Sequence, residues 1–290
     1  MLTTRSAACV TAVCSLFCGV AAGSNSPADG EAVSCGVVRR LHSKILNEDR
    51  VLLLRLPLDY GTGSKRYPVL YKLDGSKDVF LETVGTVEYL VDKVDRFPDR
   101  IVVAIENTDR NRDMFPERGA ADFDRFLTEE LTPFIDANYR TNGTRILCGQ
   151  SLSSVFALYS FLREPCAFDG YVLSSFGLST EWLNLFEAAL AKSAALAGRK
   201  THLYVANGAL DPYDSDGSRS RNGVIFLDSL SKAAASIAAT WSGSGGSWTC
   251  PRLIVSRSSR WSSGIRPRSR RIKKDGWTAP GSFTTENTTG

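Results

Sequence analysis

A serine placed for covalent chemistry stands at residue 151. The apolar run Ile146–Cys148 ends abruptly in Gly149-Gln150-Ser151, and a helical pattern begins directly after it. A buried strand that delivers a serine to a tight turn, followed by a helix whose first N–H groups point at the same place, is the layout of a nucleophile elbow. Ser153 stands where G-x-S-x-G has its second glycine, which raises a steric question. Ser151 is the first candidate nucleophile.

Strands and helices alternate on both sides of this serine. Near-continuous apolar runs predict buried strands at 67–75, 100–105, 146–148, 171–173 and 202–206. Helical patterns lie between and after them at 79–94, 123–138, 154–163, 182–197 and 223–239. This alternation predicts an α/β fold, in which a mostly parallel sheet has helices on both faces. Ligands bind such sheets beyond the carboxyl ends of the strands, where Ser151 falls.

An antiparallel hairpin is predicted before the first parallel strand. Residues 31–58 alternate between apolar and polar types, and Asn47-Glu48-Asp49 supplies a turn between the two halves. The hairpin would form one edge of the sheet.

Composition indicates one globular domain. The 290 residues are 43% hydrophobic and 23% charged, which is enough for one sizeable core. The net charge of +4 is unevenly spread, because residues 241–290 hold nine Lys and Arg against two Asp and Glu, leaving 26 against 29 in the first 240. A mildly negative body argues against a nucleic-acid-binding face on it. We expect the domain to span 31–240.

The N-terminus predicts export. Arg5 is followed by an apolar stretch from Ala7 to Val20 and by the small residues Ala21 and Ala22, as in a cleaved signal peptide over 1–22. The stretch is shorter than the ~20 residues that a membrane span requires. We therefore expect a periplasmic or secreted protein with no stable membrane insertion after signal removal.

The cysteines and glycines indicate no cofactor. Cys35, Cys148, Cys166 and Cys250 remain after the signal, and their wide spacing matches neither a metal site nor a dense disulfide frame, although one disulfide is compatible with it. Cys148 is expected to be a small buried filler. No glycine-rich phosphate loop or nicotinamide fingerprint is present, so the sequence predicts neither a cofactor nor a metal.

Five ordered segments carry a resemblance to a known family. They are Tyr-Pro-Val-Leu-Tyr-Lys-Leu-Asp-Gly at 67–75, Asn-Thr-Asp-Arg-Asn-Arg-Asp at 107–113, Glu-Leu-Thr-Pro-Phe-Ile-Asp at 130–136, Gly-Gln-Ser-Leu at 149–152 and Phe-Asp-Gly-Tyr at 168–171. Over about 36–240 the chain resembles the "Putative esterase" family of α/β hydrolases, which includes enterochelin esterase-like, esterase D-like, feruloyl esterase and mycolyltransferase-related proteins. The resemblance implies an α/β-hydrolase fold.

The resemblance also implies roles for single residues. Ser151 would be the nucleophile that forms an acyl-enzyme with an ester. The backbone N–H groups of Leu152 and Ser76 would form the oxyanion hole.

The implied triad acid follows the strand 202–206. The family pattern Gly-x-x-acid selects Asp211, with Asp214 and Asp216 as rivals. Three further residues, Asp74, Arg110 and Asp113, are candidate substrate contacts. An ion pair between Arg110 and Asp113 that stabilises their loop is the alternative for those two residues.

The catalytic histidine is missing from the pattern. In α/β hydrolases the base follows the acid in the chain, yet the only two histidines are His42, in the hairpin, and His202, which opens the strand before Asp211. About nine residues, most of them extended at ~3.3 Å each, separate His202 from Asp211 and place the two at opposite ends of the sheet. We expect both histidines to be structural, so no catalytic histidine is identified.

The stretch 241–290 departs from the rest of the chain. It is rich in Arg and Ser, has no acidic residue before Lys274 and holds four of the five tryptophans. Such a composition predicts a basic low-complexity tail without a packed core. Three interpretations fit: a disordered extension, a segment that binds an anionic surface or nucleic acid, and a change of reading frame near 240 that replaced the last strand and helix.

These observations give three hypotheses for function. The first is an exported serine esterase acting on a small-molecule ester, with activity impaired by the missing base. The second is a non-catalytic protein of the same fold that retains a binding cleft. The third is an anion-binding protein that acts through its tail. Substrate identity depends on loops and is not predicted.

Overall fold

A computed structural model describes residues 34–94, 97–163, 167–192, 201–207, 214, 216–241 and 253–257. The strands are β1 Val37–Ser43, β2 Glu48–Arg55, β3 Tyr67–Lys72, β4 Ile101–Ile105, β5 Thr141–Gln150, β6 Gly170–Ser174, β7 His202–Asn207 and β8 Leu253–Arg257. The α-helices are α1 Lys77–Lys93, α2 Arg110–Met114, α3 Ala120–Arg125, α4 Thr132–Asn138, α5 Leu152–Leu162, α6 Thr180–Lys192 and α7 Ser218–Trp241.

The eight described strands form one sheet in the order β1-β2-β4-β3-β5-β6-β7-β8. The hairpin β1–β2 is antiparallel and joins β4 in the antiparallel sense, whereas every pair from β4 to β8 is parallel. The predicted α/β fold, with its mostly parallel sheet and N-terminal edge hairpin, is confirmed.

Helices cover both faces of the sheet because successive strand side chains point to opposite sides. The larger core holds Tyr71, Val103 and Leu147 from the strands, with buried residues of α3 to α7 packed on them. On the other face, Phe80, Val84 and Val87 of α1 pack against Leu53, Val102 and Ala104. The larger core lies directly beneath the loops that follow β5 and β6.

Two predicted boundaries differ from the structure for physical reasons. The helix predicted at 123–138 is divided into α3, a π-helical turn at Phe126–Leu131, and α4. Pro133, in the first turn of α4, has no N–H to continue the α-helical ladder, which favours a wider turn before it. The turn of the hairpin precedes the predicted one, since Glu48 and Asp49 already belong to β2.

Five residues beyond the predicted domain end at 240 join the sheet as β8. β8, inside the stretch predicted to be a tail, pairs in parallel with β7 from Leu203↔Leu253 to Asn207↔Arg257. The run Leu253-Ile254-Val255 is apolar enough to extend the sheet although its surroundings are basic. The predicted signal peptide at 1–22 and the remaining predicted tail, 242–252 and 258–290, lie outside the described residues.

Candidate functional site

Ser151 occupies the strained turn that the sequence predicted. It stands between β5 and α5 with φ 55° and ψ −123°, a left-handed conformation that costs a non-glycine residue about 1–3 kcal/mol. Its N–H donates to the Ser174 carbonyl at 3.0 Å, and its carbonyl accepts from the Ser154 N–H at 2.9 Å. These bonds fix the backbone on both sides while the residue stays exposed.

The residues on either side of Ser151 explain why the turn closes. A Cβ on Gly149 would lie 2.2 Å from the Ser153 carbonyl oxygen, so no other residue fits that position without a backbone shift. Ser153 is fully buried, and its hydroxyl accepts from the Gln150 N–H at 2.7 Å and donates to the Gln150 carbonyl at 2.8 Å. Serine is therefore accommodated where a second glycine was expected, and its hydroxyl braces the turn.

Asp74 holds Arg110 beside this turn. Its carboxylate accepts from Arg110 Nε at 2.6 Å, from Arg110 Nη2 at 2.9 Å and from Asn107 Nδ2 at 2.7 Å. Burial opposes ionisation, but the hydrogen bonds from Arg110 and Asn107 outweigh it and keep the pKa of Asp74 below its usual value. Asp74 itself has φ 56°. The pair is ionised, and Asp74 serves to orient Arg110.

The two predicted oxyanion donors differ in whether the backbone N–H already has an acceptor. Leu152 is the first residue of α5, so its N–H has no acceptor within the helix, and it lines the same cavity as Ser151. The Ser76 N–H instead donates to the Asp74 carbonyl at 2.9 Å, and Ser76 is not among the residues lining that cavity. The geometry leaves the Leu152 N–H available and the Ser76 N–H engaged.

Asp113, a predicted substrate contact, lies in a buried cluster of ion pairs and does not line the cavity beside Ser151. It is fully buried; one carboxylate oxygen lies 2.7 Å from Arg50 Nη1 and the other 2.6 Å from Arg112 Nη2. Glu48 joins them by pairing with Arg50 and Arg112, each at 2.7 Å. The hydrogen bond from Arg112, with help from Arg50, lowers the pKa of Glu48 to about 2 against the effect of burial. Arg110 therefore pairs with Asp74, and the predicted pair with Asp113 does not form.

Of the two candidate triad acids that the structure describes, Asp214 and Asp216, only Asp214 lines the cavity. Its carboxylate accepts from the Arg219 N–H at 3.0 Å and from the Ser220 N–H at 2.7 Å. Burial acts to raise its pKa, but these bonds at the start of α7 lower it. Asp216 accepts from the Ser218 N–H at 2.9 Å and does not line the cavity. Asp211 lies outside the described residues.

Neither histidine reaches Ser151. His42 Nδ1 lies 2.8 Å from Asp49 Oδ1 on the edge hairpin, with most of its side chain exposed. His202, at the start of β7, lies opposite Gly170 of β6. The Ser151 N–H donates to the carbonyl of Ser174, which lies four residues further along β6. At ~3.3 Å per residue, this separation is roughly 13 Å along the strands.

A cavity of about 520 Å³ opens beside Ser151. Ser151, Leu152 and Asp214 lie in its wall together with Arg110, and aromatic side chains from Phe115, Phe176 and Trp182 line it as well. The size is in the range of small-molecule sites, in which apolar walls carry a few polar groups. The described residues contain no group of three His, Cys, Asp or Glu side chains that could hold a metal ion.

Sequence reasoning missed a second strained serine in the same cavity. Ser175 follows β6, has φ 47° and lines the cavity with Ser151. No helix begins directly after it, since α6 starts only at Thr180. A left-handed conformation at a non-glycine residue leaves no mark in the sequence when the residue is an ordinary serine.

No helix among the described residues is long and apolar enough to cross a bilayer.

Cys35 and Cys148 are free thiols, while Cys166 and Cys250 lie outside the described residues. Burial raises the pKa of the Cys148 thiol, which agrees with a filler role and not with a reactive one.

Comparisons with known proteins show which sequences and folds this chain resembles. A curated relative, the uncharacterized protein YjcH of Bacillus subtilis (strain 168), is 32% identical over 146 residues, which are 47% of this chain and 60% of that protein. Among solved structures, the fold is similar to an IroE-like serine hydrolase from Shewanella oneidensis, with TM-score 0.63, 24% identity and coverage of 77% of this chain and 73% of that one.

A second solved structure has the same fold. The siderophore hydrolase EstB from Aspergillus nidulans has TM-score 0.54 and 21% identity, covering 79% of this chain and 90% of that one. The family model described as "Putative esterase" matches residues 43–238, which include every described candidate site residue. This chain belongs to that esterase family of α/β hydrolases.

Proposed function

We propose that this chain hydrolyses a carboxylic ester of a small molecule through an acyl intermediate on Ser151. The observation that carries the proposal is the left-handed turn at Ser151, between a buried strand and a helix N-terminus, in the wall of a cavity. Membership of the esterase family and the hydrolase names of the structural neighbours support it.

The proposed reaction uses groups on one side of the cavity. Ser151 Oγ attacks the ester carbonyl carbon, and the negative charge that develops on the carbonyl oxygen is stabilised by the Leu152 N–H and the N-terminus of α5. Water takes the proton that the Ser151 hydroxyl loses and supplies one to the departing alcohol, and a further water molecule then hydrolyses the acyl-serine to the acid and free Ser151. No histidine is in place to move these protons, so the reaction is slow in this chain.

A fluorophosphonate probe is expected to label Ser151. The serine oxygen displaces fluoride from the phosphorus of the probe and forms a phosphonate ester, which peptide mass spectrometry locates. Ser151→Ala is expected to abolish labelling, because the attacking oxygen is removed.

Ser175→Ala is the matched control for this experiment. Ser175 lines the same cavity and also has a positive φ, but no helix N-terminus follows it. Labelling should survive in Ser175→Ala. Labelling that persists in Ser151→Ala and disappears in Ser175→Ala would transfer the nucleophile to Ser175 and overturn the assignment.

The position of the histidines favours a second candidate, a non-catalytic binding protein with the same cleft. Both histidines of the sequence are described, and neither lies at the cavity. The two candidates differ in ester turnover relative to the Ser151→Ala variant. Turnover above that variant rules out the non-catalytic protein, and equal turnover rules out the esterase.

We also propose export, on the strength of the sequence pattern at 1–22. Expression of the full chain in a bacterium is expected to yield a mature protein in the periplasm or medium that begins near residue 23. Deletion of 1–22 should retain the protein in the cytoplasm. Full-length protein that keeps its first residue in the cytoplasm would contradict the proposal.

A further inference from the structure

The cavity has two ends with different charge. Around Ser151 the charged groups are balanced: Arg110 is held by Asp74, and Arg219 lies close enough to Asp214 to lower its pKa. At the other end, Glu117 and Glu181 line the cavity without a basic partner among the described residues. Hydrogen bonds from its own backbone N–H and from Ser179 keep the pKa of Glu181 low, so this carboxylate is ionised.

Two aromatic side chains, Phe115 and Trp182, line the cavity together with these carboxylates. The Trp182 indole N–H donates to Glu117 Oε2 at 3.3 Å, and its ring lies 5.4 Å from that of Phe115, tilted by 57°. The guanidinium of Arg118 already sits 4.9 Å from the Phe115 ring centre, outside the cavity lining. Trp182 and Phe115 are partly exposed, and both line the cavity.

This combination is the chemistry that binds organic cations. The face of an indole attracts an ammonium group through the ring quadrupole, and the attraction grows as water is excluded. The Glu117 carboxylate at the indole and the Glu181 carboxylate in the same lining add Coulombic attraction for a cation and repulsion for an anion. Arg110 and Arg219 do not reverse this preference, because each has an acidic counterpart.

We propose that the Trp182 end of the cavity is a subsite for a cationic group of the ligand, an alkylammonium in contact with the indole and flanked by Glu117 and Glu181. The inference rests on the proposed function only in treating this cavity as the substrate site. It predicts esters with an ammonium group in the acyl or alcohol part, and it disfavours anionic ones.

Binding of choline tests the subsite without any need for turnover. The comparison is with the neutral carbon isostere, in which a tert-butyl group replaces the trimethylammonium group, and with a carboxylate of the same chain length. Dissociation constants are measured by NMR titration at low salt on wild-type and Ser151→Ala protein. Choline should bind about tenfold more tightly than the isostere, and the carboxylate should bind most weakly.

Substitutions test which residues cause the preference for choline over its neutral isostere. Glu117→Gln together with Glu181→Gln should reduce the preference for choline to within about twofold, since the carboxylate charges are removed. Trp182→Leu should also reduce it while keeping an apolar wall. Glu82→Gln, which removes an equal charge from an exposed position of α1, is the matched control and should leave the preference unchanged. Equal binding of the isostere, tighter binding of the carboxylate, or insensitivity to both glutamates overturns the subsite.

The outcomes separate this inference from the proposed esterase. A choline preference that persists in Ser151→Ala supports the subsite even if no ester is turned over. Turnover that depends on Ser151 but shows no preference for a cationic over a neutral ester would refute the subsite and leave the esterase standing.

Discussion

Free imidazole is expected to accelerate the acylation of Ser151 at least about tenfold. A positioned general base contributes about 100- to 10,000-fold, and a diffusible base recovers part of this because it lacks fixed orientation. The cavity of about 520 Å³ beside Ser151 has room for an imidazole, and Asp214 in its wall could orient one. Acylation is followed as the mass increase of the protein with an aryl ester.

The control for this experiment is Ser151→Ala. Imidazole cleaves aryl esters by itself, so only the difference between the wild type and Ser151→Ala reports on the site. The effect should follow the neutral fraction of imidazole as the pH is changed, because only the neutral ring accepts the serine proton. A difference between the two proteins that stays the same at every imidazole concentration would show that the missing base is not what limits Ser151.

Asp113→Ala is expected to destabilise the fold by up to about 3–5 kcal/mol, because the fully buried Arg50 loses its fully buried carboxylate partner and keeps only the partly exposed Glu48. The same buried pair connects α2 to the edge hairpin, so the substitution also loosens the segment that carries Arg110. The change is measured as the midpoint and slope of urea unfolding.

Two further variants test whether the loss of stability comes from the buried ion pair. Glu129→Ala removes an equal charge from the exposed pair with Arg125 and should cost only a small fraction as much. Arg50→Met combined with Asp113→Leu should recover most of the loss, since apolar residues of similar volume can replace a buried pair. If Asp113→Ala and Glu129→Ala cost the same, the buried cluster is not a structural anchor.

Apolar patterning was sufficient to predict the sheet and the place of Ser151. Strands buried on both faces are short apolar runs, and five of them could be located to within a few residues at β3, β4, β5, β6 and β7. The order of the strands could not be read from the runs, since β4 lies between β2 and β3 by tertiary pairing alone. β8 was missed because five residues in a basic stretch carry too little signal.

The side-chain partners were the less predictable part of the site. Arg110 and Asp113 are three residues apart, so an ion pair between them was a reasonable prediction. In the structure each has a partner that is distant in sequence, Asp74 and Arg50 respectively. Partners of this kind are set by the sheet order. The negative end of the cavity likewise joins residues near 117 and 181, which no local pattern connects.

Four described non-glycine residues have a positive φ, and three of them, Asp74, Ser151 and Ser175, follow the carboxyl ends of β3, β5 and β6, which are neighbours in the sheet. Each such residue costs about 1–3 kcal/mol. Backbone strain is therefore concentrated at the carboxyl ends of these strands, beside the cavity. Glycine at any of the three would relieve strain and raise stability, yet two of these side chains carry the proposed chemistry or orient Arg110. Selection for stability alone would therefore favour substitutions at these positions, and those substitutions would remove side chains of the proposed site.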